Sequence, residues 1–451
     1  MWTPRRPAAH AEQSSRWTGY QDGLASGRPM RPLLLPAGLR DLLPAEAHAR
    51  RTLARLVLEH VALYGYEVVM PPAFELAAVL ERGLGTLDPS DVIRFVEPES
   101  GEVAALRPDM TPQIARMVAT RMQGLVPPLR LAYEGTVLRR RQGRARKHRQ
   151  IPQAGLELLG VAGPAGDLEI LTVAAACVKR AGVEAFVLDL GHADIVRSLL
   201  EPYPAAKAEL LLEALSVKDA GRVASLAADD AVPEAIRAAV TRLPHLHGDA
   251  SVLDDATPLL APTPAAPALA ALRAIVEGAR ARGLGAVLRL DLGEARGFAY
   301  YTGMLFRLFA EGPGEAIGGG GRYDDLLARF DAPMPAAGFA LDLDNLAWAL
   351  KVARPAGMAD GAPLRVAIRA SEGADAVADA LRARGIPAGI APHDHAREHA
   401  LAFRYSALLS HEDEGWVLER LDTGTRTCHA EAGARDLTVA AWAESVVRPA
   451  T

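Results

Sequence analysis

Apolar and polar residues follow two different periods along the chain, and these periods predict its elements. From Arg40, apolar residues recur at helical spacing until Gly65, which predicts a helix followed by an extended run. Apolar segments separated by glycine and polar residues predict strands of an antiparallel sheet at 64–75, 92–106, 129–138 and 151–160. A helix is predicted at 165–182, and strands return at 285–292 and 298–309.

The stretch between the two strand-rich parts, 195–280, is rich in Ala and Leu and is predicted to be helical, with interruptions at prolines. We interpret it as a helical insertion. The strand-rich parts, 31–194 and 281–355, are then two halves of one core, in which helices flank an antiparallel sheet. The sequence therefore predicts the α+β class.

A Gly/Pro/Ala linker follows the core, and beyond it a strand, a helix and a second strand predict a small C-terminal α/β domain at 363–451. This region contains His393, His395 and His399, whose spacing could bring three imidazoles onto one metal ion. The alternative, which we favour, is an exposed loop and helix start, because no cysteine completes the ligand set. No metal site or cofactor is predicted.

Composition limits the classes of protein. The 451 residues, 50% hydrophobic and 23% charged, suit a globular protein of two or three domains, and no apolar run approaches a membrane span. The net charge of -5 gives no overall basic surface for nucleic acid. The two cysteines, Cys177 and Cys428, fit neither a disulfide framework nor a thiolate metal site, and they favour the cytoplasm. Residues 1–30 are expected to be a disordered extension, and Met30 could be the true start.

Three stretches place polar groups where a sheet face would otherwise be apolar, namely ALRPDMTPQIAR (105–116), LRRRQGRARKHRQIPQAGLELLG (138–160), and RGFAYYTGMLF with GGGGRYD (296–306 and 318–324). Each has an ordinary explanation when it is taken alone. Arg107, Pro108 and Asp109 suit a turn with an acidic cap, and Glu157 suits the solvated face of a strand. Paired tyrosines are often core or rim aromatics.

Taken together and in order, the three stretches resemble the signature regions of class II histidyl-tRNA synthetases across about residues 36–350. Pro72 and Glu75 resemble the first class II motif, whose proline lies at the dimer interface. LRPDMT resembles the synthetase LRPEGT. The resemblance assigns a histidine pocket to eight residues: Asp109, Thr111, Arg139, Gln153, Glu157, Arg296, Tyr301 and Tyr323.

The chemistry of histidine supports this assignment. The free amino acid presents an ammonium group, a carboxylate and an imidazole, so a selective site needs an acid, a base and an acceptor for a ring N–H. By the resemblance, Asp109, Arg296 and Glu157 supply these three groups.

The departures from the synthetase pattern concern the ATP site. Arg141 replaces the glutamate of the second motif. In GFALDLDNL of the third motif, Asp342, Asp344 and Asn345 stand where the synthetase has glycine, glutamate and the phosphate-binding arginine, and Ala299 replaces an aspartate of RGLDYY. The loss of a cation and the gain of a carboxylate beside a polyphosphate weaken binding, so we do not expect adenylate formation.

The basic run 139–149 carries seven Lys/Arg in eleven residues, which could face phosphates, solvent or an acidic protein. The C-terminal region resembles an anticodon-binding domain only in the order of its strands and helices. Transfer RNA binding is therefore not expected.

A histidine pocket without an ATP-activating apparatus indicates a sensor, and the family that fits is the regulatory subunits of ATP phosphoribosyltransferase. The resemblance implies a short-form catalytic subunit as partner, L-histidine as effector, a homodimer within a hetero-oligomer, feedback inhibition of histidine biosynthesis, and no aminoacylation activity. The main alternative is a divergent histidyl-tRNA synthetase that charges tRNA using ATP. A third, an amino-acid ligase or tRNA-modifying paralogue, would need the nucleotide binding that Asp342 and Asn345 argue against.

Overall fold

The structure, a computed structural model, describes residues 35–84, 92–140, 148–295, 301–353, 365–412, 415–429 and 436–447. The chain forms two compact units, Met1–Ala353 and Arg354–Thr451. The predicted extension 1–30 lies outside the described residues.

The first unit contains both strands and helices. Its strands are β1 (Glu67–Val68), β2 (Phe74–Leu76), β3 (Arg94–Val96), β4 (Val103–Leu106), β5 (Leu129–Leu138), β6 (Gln150–Leu159), β7 (Phe186–His192), β8 (His247–Gly248), β9 (Leu288–Asp291), β10 (Met304–Ala310), β11 (Gly318–Arg322) and β12 (Ala336–Asp342). Its helices are α1 (Pro44–Ala62), α2 (Ala77–Leu84), α3 (Thr111–Arg121), α4 (Gly163–Arg180), α5 (Ala193–Leu200), α6 (Ala205–Ser216), α7 (Ala220–Ala227), α8 (Glu234–Arg242), α9 (Val252–Leu260), α10 (Ala266–Ala281) and α11 (Leu343–Ala353).

A nine-stranded sheet in the order β1-β5-β6-β12-β11-β10-β7-β9-β8 forms the centre of this unit within the described residues. The six strands from β5 to β7 pair antiparallel, while β1–β5 and β7–β9 are parallel pairs. The small sheet β2-β4-β3 stands apart from it. This arrangement confirms the predicted α+β class with an antiparallel core.

The segment 195–280 is mainly helical and contains one short strand, β8, and its apolar residues are part of the large core that packs against the sheet. Leu211, Val240 and Leu272 from this segment belong to the same buried cluster as Leu156 of β6 and Leu188 of β7. The segment is therefore held to the sheet by continuous apolar packing.

The predicted strands at the two ends of the sheet differ from the observed ones. The single strand predicted at 64–75 is broken into β1 and β2 by Pro71 and Pro72, which have no N–H to donate to a ladder. The strand predicted at 92–106 is a hairpin of β3 and β4. Strands β7, β8, β11 and β12 of this unit were not predicted.

A buried ion pair joins the sheet to the helical layer. Arg322 at the end of β11 donates through Nε to Asp167 Oδ1 at 2.7 Å, and its other nitrogens donate to the carbonyls of Val161 and Gly163 and to Asp324 Oδ1. Arg322 and Asp167 are both buried, and burial raises the pKa of Asp167 to about 6 against the opposing effect of Arg322. The fully occupied guanidinium fixes β11 against the start of α4.

The second unit contains β13 (Val366–Arg369), α12 (Ala374–Ala383), β14 (Ala388–Ala391), α13 (Ala396–Ala402), β15 (Ala407–Glu412), β16 (Gly415–Arg420), β17 (Arg426–His429) and α14 (Asp436–Val447). Its sheet has the order β14-β13-β15-β16-β17, with β13 parallel to both of its neighbours, which confirms the predicted α/β character. His393 and His395 are exposed and contact Asp394 and Glu398. His399 packs on Phe403, 4.6 Å between ring centroids.

None of the described helices is both long and apolar enough to cross a membrane.

Candidate functional site

One face of β5, β6 and β12 carries the polar residues that the sequence singled out. Register pairs Glu157 of β6 with Leu131 of β5 and with Gly338 of β12. Gln153 lies four residues before Glu157 on the same strand and therefore points to the same face. Glu157 is only 1% exposed, so its carboxyl is inside the protein rather than on a solvated face.

Hydroxyl groups lie against the Glu157 carboxyl. Thr111, the first residue of α3, donates through Oγ1 to Glu157 Oε1 at 2.7 Å. Burial raises the pKa of Glu157 well above its ordinary value, the Asp109 carboxylate raises it further, and the Thr111 hydrogen bond and the nearby Tyr133 hydroxyl lower it. The carboxyl is therefore protonated over a wider range of pH than that of an exposed glutamate.

Two buried oxygen atoms on this face have no hydrogen-bond partner among the described residues. They are Glu157 Oε2 and Gln153 Oε1. Buried polar atoms without partners are rare, because each costs about 1–3 kcal/mol. Both can accept a hydrogen bond from the N–H group of a ligand, and Glu157 can also donate one when it is protonated.

Glycines form the floor of the site. A Cβ at Gly338 would overlap Glu157 Oε2 and the Tyr323 hydroxyl, and a Cβ at Gly155 would lie 2.7 Å from the Tyr133 hydroxyl. Gly321 likewise lies under the ring of Tyr301. Because no side chain rises from these positions, the acid and three tyrosine side chains can lie directly over the sheet.

The remaining predicted residues stand around this floor. Asp109 accepts the backbone N–H of Thr111 at 3.2 Å, and Arg139 donates through Nε to the carbonyl of Pro108 at 3.0 Å, which ties the end of β5 to the loop that carries Asp109. Burial raises the pKa of Tyr301, Asp109 raises it further, and Arg307, followed by Arg139, lowers it. These charges therefore lie close to the Tyr301 hydroxyl.

The structure brings together six of the eight predicted pocket residues: Asp109, Thr111, Gln153, Glu157, Tyr301 and Tyr323. Arg139 borders them through the Asp109 loop. Arg296 and Arg141 lie outside the described residues.

Two residues of this face were missed. Tyr133 is buried over Gly155, its partner in the β5–β6 register, and Arg307 is the single charged residue of the apolar strand β10. A lone arginine in an apolar strand is a signal that sequence reasoning could have used. Tyr133 carries no such signal, because only the register places it beside Glu157.

The residues at the expected ATP positions make contacts within the protein. Asp342 Oδ1 accepts the backbone N–H groups of Asp344 at 3.0 Å and of Asn345 at 3.1 Å, at the start of α11. Asn345 Nδ2 donates to the carbonyl of Ala316 at 2.9 Å, and Asp344 pairs with Arg40 at 2.7 Å. A carboxylate of the protein thus occupies the backbone N–H groups that a helix start could offer to an anion.

Within the described ranges, three carboxylates beside this face lie close enough to share a cation, those of Asp189, Asp291 and Glu294. Lys218 already places its ammonium group 2.6 Å from Asp291 Oδ1. The group therefore has an internal cation, and we assign no metal to it.

Sequence relatives of this chain share a family with it. A family model described as histidyl-tRNA synthetase matches residues 38–346. The ATP phosphoribosyltransferase regulatory subunit of Anaeromyxobacter dehalogenans (strain 2CP-1) is 44% identical over 325 residues, which are 71% of this chain and 93% of that protein. The protein of the same name from Moorella thermoacetica is 39% identical over 332 residues, 73% of this chain and 85% of its own length.

Solved structures show the same architecture. An ATP phosphoribosyltransferase regulatory subunit/histidyl-tRNA synthetase from Bacillus halodurans C superposes with a TM-score of 0.73 at 26% identity, covering 85% of this chain and 99% of that one. The histidyl-tRNA synthetase of Nostoc sp. PCC 7120 gives 0.71 at 18% identity, covering 89% and 97%, and so shares the fold. The predicted class II synthetase-like fold is thus confirmed, and the chain belongs to the family of ATP phosphoribosyltransferase regulatory subunits, which is built on the histidyl-tRNA synthetase fold.

Proposed function

We propose that this protein is a non-catalytic histidine sensor, which activates a short-form ATP phosphoribosyltransferase catalytic subunit and mediates feedback inhibition by L-histidine. One observation carries the proposal: the amino-acid face keeps two unpartnered buried acceptors, Glu157 Oε2 and Gln153 Oε1, while the start of α11 is occupied by Asp342. The names of its sequence relatives support the regulatory role and the partner.

In this proposal each group of histidine meets a matching group of the protein. Glu157 receives the imidazole, Asp109 with Thr111 holds the ammonium group, and Arg296 and Gln153 hold the carboxylate and polar edge of the ligand. Tyr133, Tyr301 and Tyr323 enclose the ring from the sides. Coupling to the partner requires histidine to bind two conformations of the complex with unequal affinity.

The loss of ATP chemistry follows from charge. A triphosphate at the start of α11 would meet the Asp342 carboxylate instead of free N–H groups, and Asn345 is neutral and engaged with Ala316. A like charge next to a polyphosphate is repulsive at any effective dielectric constant. Histidine should therefore bind without being activated.

We also propose a homodimer, because an apolar surface is exposed where β1 forms the edge of the nine-stranded sheet. Leu63, Met70 and Phe74 are 79%, 85% and 44% exposed. Val126, just before the neighbouring strand β5, is 85% exposed. Large exposed apolar side chains near a sheet edge are typical of a surface that a second chain covers, and a two-fold axis would bring the same surface from both copies together.

The central test mixes the purified protein with a short-form catalytic subunit. We expect phosphoribosyl transfer to be strongly stimulated by the mixture and to be inhibited by added histidine. The assay follows formation of the phosphoribosyl-ATP product. A catalytic subunit that is unaffected by this chain, at concentrations where the two proteins co-elute, would refute the regulatory role.

Glu157→Gln should weaken histidine binding by about 1–3 kcal/mol, because a charged hydrogen bond is replaced by a neutral one. Titration calorimetry measures the effect. Glu169→Gln is the matched control, since Glu169 holds Arg130 with 2.8 and 2.9 Å hydrogen bonds on another part of the unit.

The same variant has a pH signature in the free protein. Because the folded-state pKa of Glu157 is raised, its contribution to the free energy of unfolding is complete below the unfolded value of about 4.3 and is lost as the pH rises through the folded value. Glutamine does not titrate, so denaturant unfolding should show Glu157→Gln gaining stability relative to the wild type as the pH rises.

In the calorimetric experiment, unchanged histidine affinity of Glu157→Gln would show that the assigned pocket is wrong.

ATP alone should leave the thermal midpoint unchanged, whereas histidine should raise it. In the double variant Asp342→Gly/Asn345→Arg, the helix start becomes free and gains a cation, so ATP should raise the midpoint. The single variant Asn345→Gln controls for loss of the Ala316 contact. Histidine-dependent ATP–pyrophosphate exchange by the wild type would favour the synthetase alternative.

Met70→Glu should convert the dimer into a monomer, because it places a charge in the proposed apolar interface. Light scattering coupled to gel filtration measures the mass. Leu210→Glu is the control, since Leu210 is also a large exposed apolar residue, 42% exposed, but lies on α6. A wild-type monomer at micromolar concentration would contradict the dimer.

A further inference from the structure

Charged side chains from the helical segment 195–280 hold the described residues at both ends of the connection between β9 and β10. It runs from Asp291, the last residue of β9, to Tyr301, whose ring lies over Gly321 in the floor of the site. Residues 296–300 of the connection are outside the described part of the chain.

At the first end, Lys218 reaches out of the turn between α6 and α7. Its Nζ donates to Asp291 Oδ1 at 2.6 Å and to the carbonyl of Gly293 at 3.0 Å. Asp291 Oδ1 also accepts the backbone N–H of Gly293 at 3.0 Å, so one ammonium group and one carboxylate fix a three-residue turn. The backbone of Lys218 is left-handed, with φ of 54°, which is uncommon for a residue with a long side chain.

The backbone of the helical segment holds the same turn. The Leu292 N–H donates to the carbonyl of Leu246 at 3.0 Å, and a Cβ at Gly293 would lie 2.7 Å from the carbonyl oxygen of Leu243. Gly293 therefore permits a close approach that any other residue would push apart.

At the second end, Arg197 of α5 donates through Nη2 to the carbonyl oxygen of Tyr301. Arg197 also pairs with Asp194 on its own helix. The Ala193 N–H at the start of α5 donates to the carbonyl of Gly303 at 2.8 Å. Both ends of the connection thus depend on cations that come from the helices after β7.

The electrostatics make Lys218 more than a surface ion pair. Asp291 is buried, and its carboxylate lies within 4.8 Å of those of Asp189 and Glu294. Like charges at such distances repel, and a cation among them favours one arrangement of the turn. Removing the ammonium group would leave a buried carboxylate to find another position, and the turn would move with it.

We propose that Lys218 and Arg197 are positioning residues, through which the helical segment 195–280 sets the placement of the turn 291–293 and of Tyr301, and so the affinity of the pocket for its ligand. The inference rests on the proposed histidine site for its ligand. The positioning contacts themselves are those of Lys218 with Asp291 and Gly293 and of Arg197 with Tyr301.

The test uses the full-length chain with Lys218→Met, which keeps the side-chain length and the left-handed position but removes the charge. Hydrogen–deuterium exchange without ligand should become several-fold faster in peptides covering 289–303. Histidine affinity, measured by calorimetry, should fall about tenfold, a size typical of mutations that act on a site through other residues. Lys218→Arg should restore most of both effects.

Lys207→Met is the matched control, because Lys207 forms a 2.9 Å ion pair with Asp229 within the same helical segment and its side chain is exposed to a similar degree. It should change neither readout by more than about twofold, because this solvent-screened ion pair lies outside the β9–β10 connection. Arg197→Met should act on peptides near 301 and on histidine affinity. If Lys218→Met does not fold, Asp291→Asn removes the same charge pair and takes its place.

The outcomes separate the two proposals. Unchanged exchange in 289–303 together with unchanged histidine affinity overturns the positioning role. Faster exchange in a chain whose wild type binds no histidine keeps the positioning role and removes the histidine site. Faster exchange with unchanged affinity in a chain that does bind histidine overturns the link to the pocket.

Discussion

The structure of the first unit is organised around one buried carboxyl group. Glu157 lies within the nine-stranded sheet, accepts a hydrogen bond from the Thr111 hydroxyl, and has one oxygen without a partner. Burying an acid in this way is unfavourable unless the neighbouring residues leave space for it and a ligand completes its hydrogen bonds. The glycine at 338 is needed for space, and the Thr111 hydroxyl is needed for the first hydrogen bond. The strand register, the loop that begins α3 and the tyrosines over the floor are therefore constrained by one side chain.

A short distance along the same sheet, the structure has the opposite character. At the end of β12 the backbone N–H groups of α11 are already satisfied by Asp342, and Asn345 bonds to a carbonyl of the protein. Glu157 Oε2 and Gln153 Oε1 lack hydrogen-bond partners among the described residues, whereas the Asp342 carboxylate and the Asn345 amide already have partners within the chain. Since binding needs unsatisfied polar groups and satisfied ones resist ligands, the two parts of the face differ in function although they share strands. The proposed retention of a histidine site without ATP chemistry rests on this difference.

Much of the fold follows from local pattern, and the site follows from it only in part. The strands β5 and β6 and the helix α4 could be predicted because their apolar residues repeat with the period of the element. Strand β11 (GGGGR) could not be predicted, because glycine lacks the side chains whose pattern indicates a strand. That its glycines form the floor of the site follows only from the packing of side chains such as Tyr301 over them. Tyr133 and Lys218 could not be assigned, since their partners come from the register of β5 with β6 and from a contact across 73 residues of sequence. The ATP-site substitutions could be seen in the sequence, but the contact of Asp342 with the start of α11 could not.

The contacts of the helical segment bear on how occupancy of the pocket can reach another protein. A ligand shifts a conformational equilibrium only through contacts that differ between two states. The unpartnered oxygen of Glu157 is such a contact, but Glu157 sits in a rigid central strand, which has little freedom to move. Tyr301 lies over the same floor, and its carbonyl oxygen is held by the side chain of Arg197. Side-chain anchors of this kind have fewer hydrogen bonds per residue than a sheet and rearrange at lower cost. In the proposed positioning role, a change at Tyr301 reaches α5 through Arg197.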